Sequence, residues 1–235
     1  MSVRKLVLPI AFLCPCLLTF IVETEEAMNP TSQRLESIAM KLPQPRPDGP
    51  LSLEKTLLKR RSIREFRRDA VELSDVSQLL WAAQGISDPR NGRRTAPSAG
   101  ALYPLEVYVV AGNVNGLGSG VYKYEPKGHA LTKIRTGDVR SELYRAALEQ
   151  QCVKDAAVVV VLSAVFERTS VKYRQRTERY VHMEVGHAAQ NVLLQAVSLG
   201  LGSVPVGAFD DALIKEVVQL QEKEVPLYLL PVGKP

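Results

Sequence analysis

Over residues 178–199, Val181, Val185, Ala188, Val192, Ala196 and Leu199 return every three or four positions, which predicts one long amphipathic helix. Gly186, Ala188 and Ala189 add a strip of small side chains along it, where a second helix could approach closely. Residues 156–164, AAVVVVLSA, are apolar without alternation and predict a strand covered on both faces. Residues 121–134, VYKYEPKGHALTKI, alternate on either side of Pro126–Gly128 and predict a surface hairpin. Shorter patterns predict helices over 52–60, over 74–84 with Ser74 as N-cap, over 138–149, and over 210–219 opening on Asp210. Strands are predicted at 105–111, 204–206 and 225–232. Helices and strands are interspersed and the strands pair as hairpins. The fold class is therefore α+β, built around a long helix, and not a regular βαβ alternation.

The first 50 residues do not share this pattern. Arg4 and Lys5 precede an apolar run, Leu6–Val22, and Glu23, Glu25 and Glu26 follow it. Residues 1–22 thus read as a signal peptide or an N-terminal membrane anchor, at the short limit for a span. The charge order places the main domain outside the cytoplasm, by membrane attachment or export. A start residue assigned too early would make it cytoplasmic instead. Residues 23–50 carry Pro43, Pro45, Pro47 and Pro50 and read as a proline-rich arm, so the folded domain spans 51–235. The net charge of +5 is modest and dispersed, which argues against a nucleic-acid partner. Cys152 stands alone in that domain and reads as a small buried hydrophobe.

Three kinds of chemistry fit poorly. Ser98 sits in APSAG before a strand, whereas a nucleophile elbow needs G-x-S-x-G between strand and helix. His182 and His187 are five apart and point roughly 140° away from each other on a helix, so HMEVGH is no zinc motif. The glycines of 200–207 follow a helix and lead to a strand, the reverse of a dinucleotide turn. RRSIREF is more informative. Arg60, Arg61 and Arg64 with the Ser62 hydroxyl suit a phosphate or a polyol, although a solvated basic face has the same composition.

Four motifs in order, RRSIREF (60–66), PSAGALYP (97–104), RYVHMEVGHAAQN (179–191) and GLGSVPVGAF (200–209), resemble the nitroreductase-like FMN flavoproteins, and within them the SagB-type dehydrogenase branch. The resemblance covers residues 51–235. It implies a nitroreductase-like fold, with a central β-sheet flanked by helices around a long core helix, in a homodimer with FMN at the interface. It implies an FMN-dependent oxidoreductase passing hydride between an organic substrate and flavin N5, with NADH or NADPH as candidate electron donor. The substrate classes it suggests are a modified peptide, a quinone or a small electrophile. By position, Arg60, Arg61, Ser62 and Lys234 match the residues that hold the phosphate and ribityl chain, and Arg64 the cation near the pyrimidine edge. Pro205, Val206 and Gly207 match the segment whose main chain faces N5, and Pro97, Ser98, Ala99 and Gly100 border the ring from across the interface.

The chain also departs from the family pattern. Typical nitroreductases carry asparagine at Ala101 and often glutamate at Gly207. Azoline-oxidising members use a Lys–Tyr pair, at whose place Arg179–Tyr180 is read here, leaving Tyr180 as the candidate proton donor or relay. These losses motivate an alternative, a flavin-holding or partner-docking protein with little turnover.

Overall fold

The computed structural model describes residues 39–235; the apolar run and the first part of the arm lie outside the described residues. The elements in chain order are β1 (Met40–Lys41), α1 (Leu53–Lys59), β2 (Val71–Glu72), α2 (Leu73–Gln84), β3 (Ile86–Asp88), β4 (Arg93–Arg94) and β5 (Leu105–Ala111). There follow β6 (Val114–Asn115), β7 (Gly120–Glu125), β8 (Ala130–Thr136), α3 (Arg140–Ala146), α4 (Gln151–Asp155) and β9 (Val158–Val165). The chain ends with α5 (Phe166–Tyr173), α6 (Thr177–Ser198), β10 (Gly202–Ser203), α7 (Asp211–Val218) and β11 (Glu224–Gly233).

Seven strands form an antiparallel sheet in the order β1-β8-β7-β5-β9-β11-β10. The apolar run of β9 lies at its middle, between β5 and β11. Alternate residues feed two cores. Val158, Val160, Leu162 and Ala164 meet the layer of α2 and α6, while Val159 and Val161 meet α3, α4 and α7. Both sides are covered, so the run is apolar but for Ser163, whose buried hydroxyl donates to Glu224 at 3.0 Å.

Several local expectations are revised. Ser74 lies inside α2; Glu72 takes the cap position and makes no side-chain cap bond. The helix expected over 138–149 breaks because Leu148 and Glu149 turn left-handed, at φ 53° and 58°, and α4 begins anew at Gln151. Asp210 does cap α7, accepting from the Leu213 N–H at 3.0 Å. The strand expected at 204–206 is displaced to β10, with a single further bridge joining Val206 to Leu229. Helix α5 follows β9 without a turn signal and was not foreseen. The small-residue strip of α6 is split: Ala188 and Ala189 are core, whereas Gly186 faces open space.

The end of the arm is seated on the domain. β1 pairs with β8, Leu42 is buried, and Gln78 clamps the main chain of Arg46, accepting from its N–H at 2.8 Å and donating to its carbonyl at 3.1 Å. His129 joins the same seam, its ring nitrogens 2.8 Å from Tyr124 Oη and 2.7 Å from Ser77 Oγ. Among the described residues no helix is long and apolar enough to cross a membrane.

Candidate active site

Three sequence-remote motifs meet at the C-terminal end of α6. The RRSIREF segment runs beside the edge strand β10: Ser62 bridges Ser203, and the Ile63 N–H donates to the Ser203 carbonyl at 3.0 Å. One residue past that segment's end, the Arg67 N–H donates to the Lys234 carbonyl at 2.9 Å. Such close approach requires glycine. A Cβ at Gly202 would lie 2.7 Å from Ile63 Cγ2, and one at Gly233 would lie 2.9 Å from the Phe66 ring. The main chain therefore draws residues 60–67, 202–203 and 233–234 into one cradle, and the Val206–Leu229 bridge brings Pro205, Val206 and Gly207 alongside.

The cradle is rich in cations. Arg60, Arg61, Arg64 and Lys234 form no ion pair among the described residues. Arg61 instead folds back, donating to the Leu58 and Arg60 carbonyls at 3.0 and 2.8 Å. Ser203 is buried, and its hydroxyl has no partner among the described residues. A cleft of about 530 Å³ opens nearby, lined by Leu51, Lys59, Arg61, Ile63, Gly200 and Gly202; Arg60, Ser62, Arg64, Ser203 and Lys234 do not line it. Cations free of ion pairs and an orphaned hydroxyl suit a phosphate-bearing ligand, so the residues fit the FMN phosphate and ribityl chain, with Glu65 as a carboxylate in the same segment. A second cleft of about 580 Å³, between the arm and helices α2 and α6, adjoins the first, sharing Leu51, Ser198 and Leu199 and reaching Asn191 of the 179–191 motif.

PSAGALYP forms the second half of the site, at the other end of α6. Gly100, Ala101 and Tyr103 are left-handed, at φ 64°, 56° and 45°, which turns the loop sharply before β5. The Ser98 hydroxyl accepts from the Tyr103 N–H at 2.9 Å, and so serves as a loop clasp. Arg168 donates to the Tyr103 carbonyl at 3.0 Å and ion-pairs with Glu106. Arg94 lies 4.5 Å from the centre of the Tyr103 ring and donates to Gln84 Oε1 at 2.9 Å.

Tyr180 is half-buried and meets Tyr173 edge-on, with ring centres 4.8 Å apart. A side chain at Gly100 would reach Tyr173 Oη at 3.0 Å and Lys172 Nζ at 3.1 Å. A Lys–Tyr pair, Lys172–Tyr173, thus stands against the loop, with Tyr180 packed beside it. The dipeptide was visible in the sequence, but without α5 it had no position. Glu184 is buried on α6, under the influence of Ser98 and Arg94, and burial pushes its carboxyl up to about 7. His182 packs edge-on to Phe166 and His187 is exposed, so the residues of HMEVGH serve separate surroundings.

These two half-sites sit on a fold that known proteins share. The sequence profile of the nitroreductase family matches residues 57–234. The chain belongs to the nitroreductase family. It is 50% identical over 184 residues to MJ1384 of Methanocaldococcus jannaschii, a nitroreductase by name, covering 78% of this chain and 91% of the relative. It is 30% identical over 164 residues to the microcin B17-processing protein McbC of Escherichia coli, covering 67% of this chain and 60% of McbC. The crystal structure of a Ralstonia eutropha nitroreductase superposes with a TM-score of 0.73 at 31% identity, over 83% of this chain and 89% of that one. The nitroreductase-like fold implied by the four motifs is borne out, and so is the likeness to peptide-processing members.

Proposed function

We propose that this nitroreductase-family oxidoreductase depends on FMN and moves hydride between an organic substrate and flavin N5. The observation that carries this reading is the cradle itself, where Ile63–Ser203 and Arg67–Lys234 main-chain bonds gather Arg60, Arg61, Arg64 and Lys234, none of them in an ion pair among the described residues. FMN, when bound, supplies the hydride chemistry. Arg60, Ser62 and Lys234 hold its phosphate and ribityl chain, with Arg61 beside them, and Arg64 sets a positive charge near the ring. The main chain at Val206 and Gly207 orients the N5 edge.

Two copies of the chain sharing one flavin fit the geometry. The helix rises about 1.5 Å per residue, so Ser198, next to the cradle, is about 21 Å along α6 from Glu184 and the loop. In a homodimer, residues 97–100 of one chain would face the cradle of the other. Lys172, Tyr173 and Tyr180 then share the proton handling beside the ring. McbC is named for processing a peptide, and that makes a modified peptide the favoured substrate class here. The alternative, a flavin-holding protein with little turnover, draws on Ala101 and Gly207, which lack the side-chain contacts of typical nitroreductases.

The test is purification of the full chain, a visible spectrum for bound flavin, and anaerobic addition of NADH or NADPH. Bleaching of the flavin, with recovery on adding an acceptor, supports the oxidoreductase. Bound flavin that no donor reduces supports the holding protein. A colourless protein that cannot be reconstituted with FMN defeats both.

A further inference from the structure

The carboxyl beneath the 95–103 loop has no part in the roles assigned above. Glu184 is 3% exposed, and its Oε1 has no hydrogen-bond partner among the described residues. Its neighbours are Ser98, whose hydroxyl hydrogen is free because the same oxygen accepts from Tyr103 N–H, and Arg94 from β4. Arg94 is already committed to Gln84 and to the face of Tyr103. The titratable groups around the loop are Tyr103 itself, Lys172 and Tyr173 of α5, and Tyr180 and His187 one turn either way on α6. Glu106 of β5 is occupied by Lys123 and Arg168.

An ionised carboxylate at this position would have one hydroxyl donor and a distant, engaged guanidinium. To gain donors it must draw Arg94 off Tyr103 or admit water beneath Ser98, and either step unseats the loop. We propose that Glu184 is a positioning residue: as a neutral acid it keeps the 95–103 loop seated, and on ionisation it releases the loop. The consequence for flavin binding rests on the function proposed above; the pH dependence of the loop does not.

The sign follows from where the proton sits. Burial raises the seated carboxyl to about 7, opposed by the Ser98 hydroxyl and the Arg94 charge, whereas an exposed one keeps its ordinary 4.5. The seated loop is fully favoured below about 4.5, loses that advantage as pH rises to about 7, and changes no further above it.

Hydrogen exchange of the full chain, with and without added FMN, reads this directly. After correction for intrinsic exchange, loop opening over 96–104 in the wild type should rise about tenfold or more between pH of about 5 and about 7, since one pKa unit is tenfold. Glu184→Gln should stay flat at the seated level, and an infrared band of a protonated carboxyl present in the wild type at mildly acid pH should be missing from it. Equal slopes in the two proteins, or a flat wild type, overturn the proposal. Ser98→Ala provides an independent arm: loss of its hydroxyl should move the midpoint of opening to higher pH, and an unmoved midpoint counts against the proposal. Should the protein bind no FMN, the flavin reading fails while the exchange data still decide the role of Glu184.

Discussion

At the C-terminal end of α6, residues 60–67 are fixed by main-chain bonds to Ser203 and Lys234; Arg61 folds back on main-chain carbonyls and Arg67 pairs with Asp69, while Arg60 and Arg64 form no ion pair among the described residues. At the N-terminal end, the 95–103 loop is fixed by side chains: Ser98 and Arg168 on the main chain of Tyr103, Arg94 on its ring, Glu184 below. The first arrangement leaves Arg60, Arg64 and Lys234 outside any ion pair among the described residues. The second spends its polar groups on the loop and leaves Gln84 Nε2 and Glu184 Oε1 without partners. Substitutions in the cradle should therefore separate ligand affinity from stability, whereas substitutions behind the loop should not.

The largest effect is expected behind the loop. Glu224 is buried and accepts from Tyr108 Oη at 3.0 Å, Ser163 Oγ at 3.0 Å and Lys123 Nζ at 3.2 Å. Lys123 also reaches Glu106 at 3.1 Å, which ion-pairs with Arg168 on the loop. Glu224→Ala leaves Lys123 short of a partner in a buried place, and should cost about 3–5 kcal/mol in urea denaturation. It should also raise exchange over residues 96–104. Lost stability with an undisturbed loop would show that the network and the loop are independent.

An intermediate effect is expected where main chain meets main chain. Gly202→Ala sets a methyl group 2.7 Å from Ile63 Cγ2 and forces the 60–67 segment off β10. The cost should be about 1–3 kcal/mol, the usual range for overpacking. FMN retention should fall with it, because the cations move together. Unchanged retention would mean that the register of Ile63 on Ser203 does not set the ligand site.

The cradle was legible in the sequence for the same reason that it is rigid. Repeated arginines around Ser62, and glycines where chains must touch, are local signals, and their order along the chain pointed to one family before their meeting place was known. The central strand and long helix were legible from periodicity, which both-sided burial of β9 and one-sided burial of α6 enforce. The loop's supports were not. Gln84, Arg94, Arg168 and Glu184 come from four elements, and only β-sheet pairing and the unforeseen α5 set them around Tyr103. Glu184 shares a helical face with His187, which suggests a structural hydrogen bond, but nothing in HMEVGH tells a buried acid from an exposed one. The Lys172–Tyr173 pair went unplaced because no cap or turn residue separates α5 from β9.

The smallest effect on stability should accompany the clearest effect on the ligand. Arg60 follows α1 directly, half-buried, with its main chain bonded to Thr56 and its guanidinium in no ion pair. Arg60→Ala therefore removes no interaction on which the fold rests, and its unfolding free energy should lie within about 0.5 kcal/mol of wild type. A charge-assisted hydrogen bond to phosphate is worth about 1.5–3 kcal/mol, so FMN should bind roughly 10- to 100-fold more weakly, by fluorescence titration of released flavin. Raising the salt concentration should narrow that gap, because the lost attraction is between exposed charges. Equal FMN affinity in wild type and variant would remove Arg60 from the cradle's working set. Equal losses in affinity and stability would show that the contrast between the two ends of α6 is wrong.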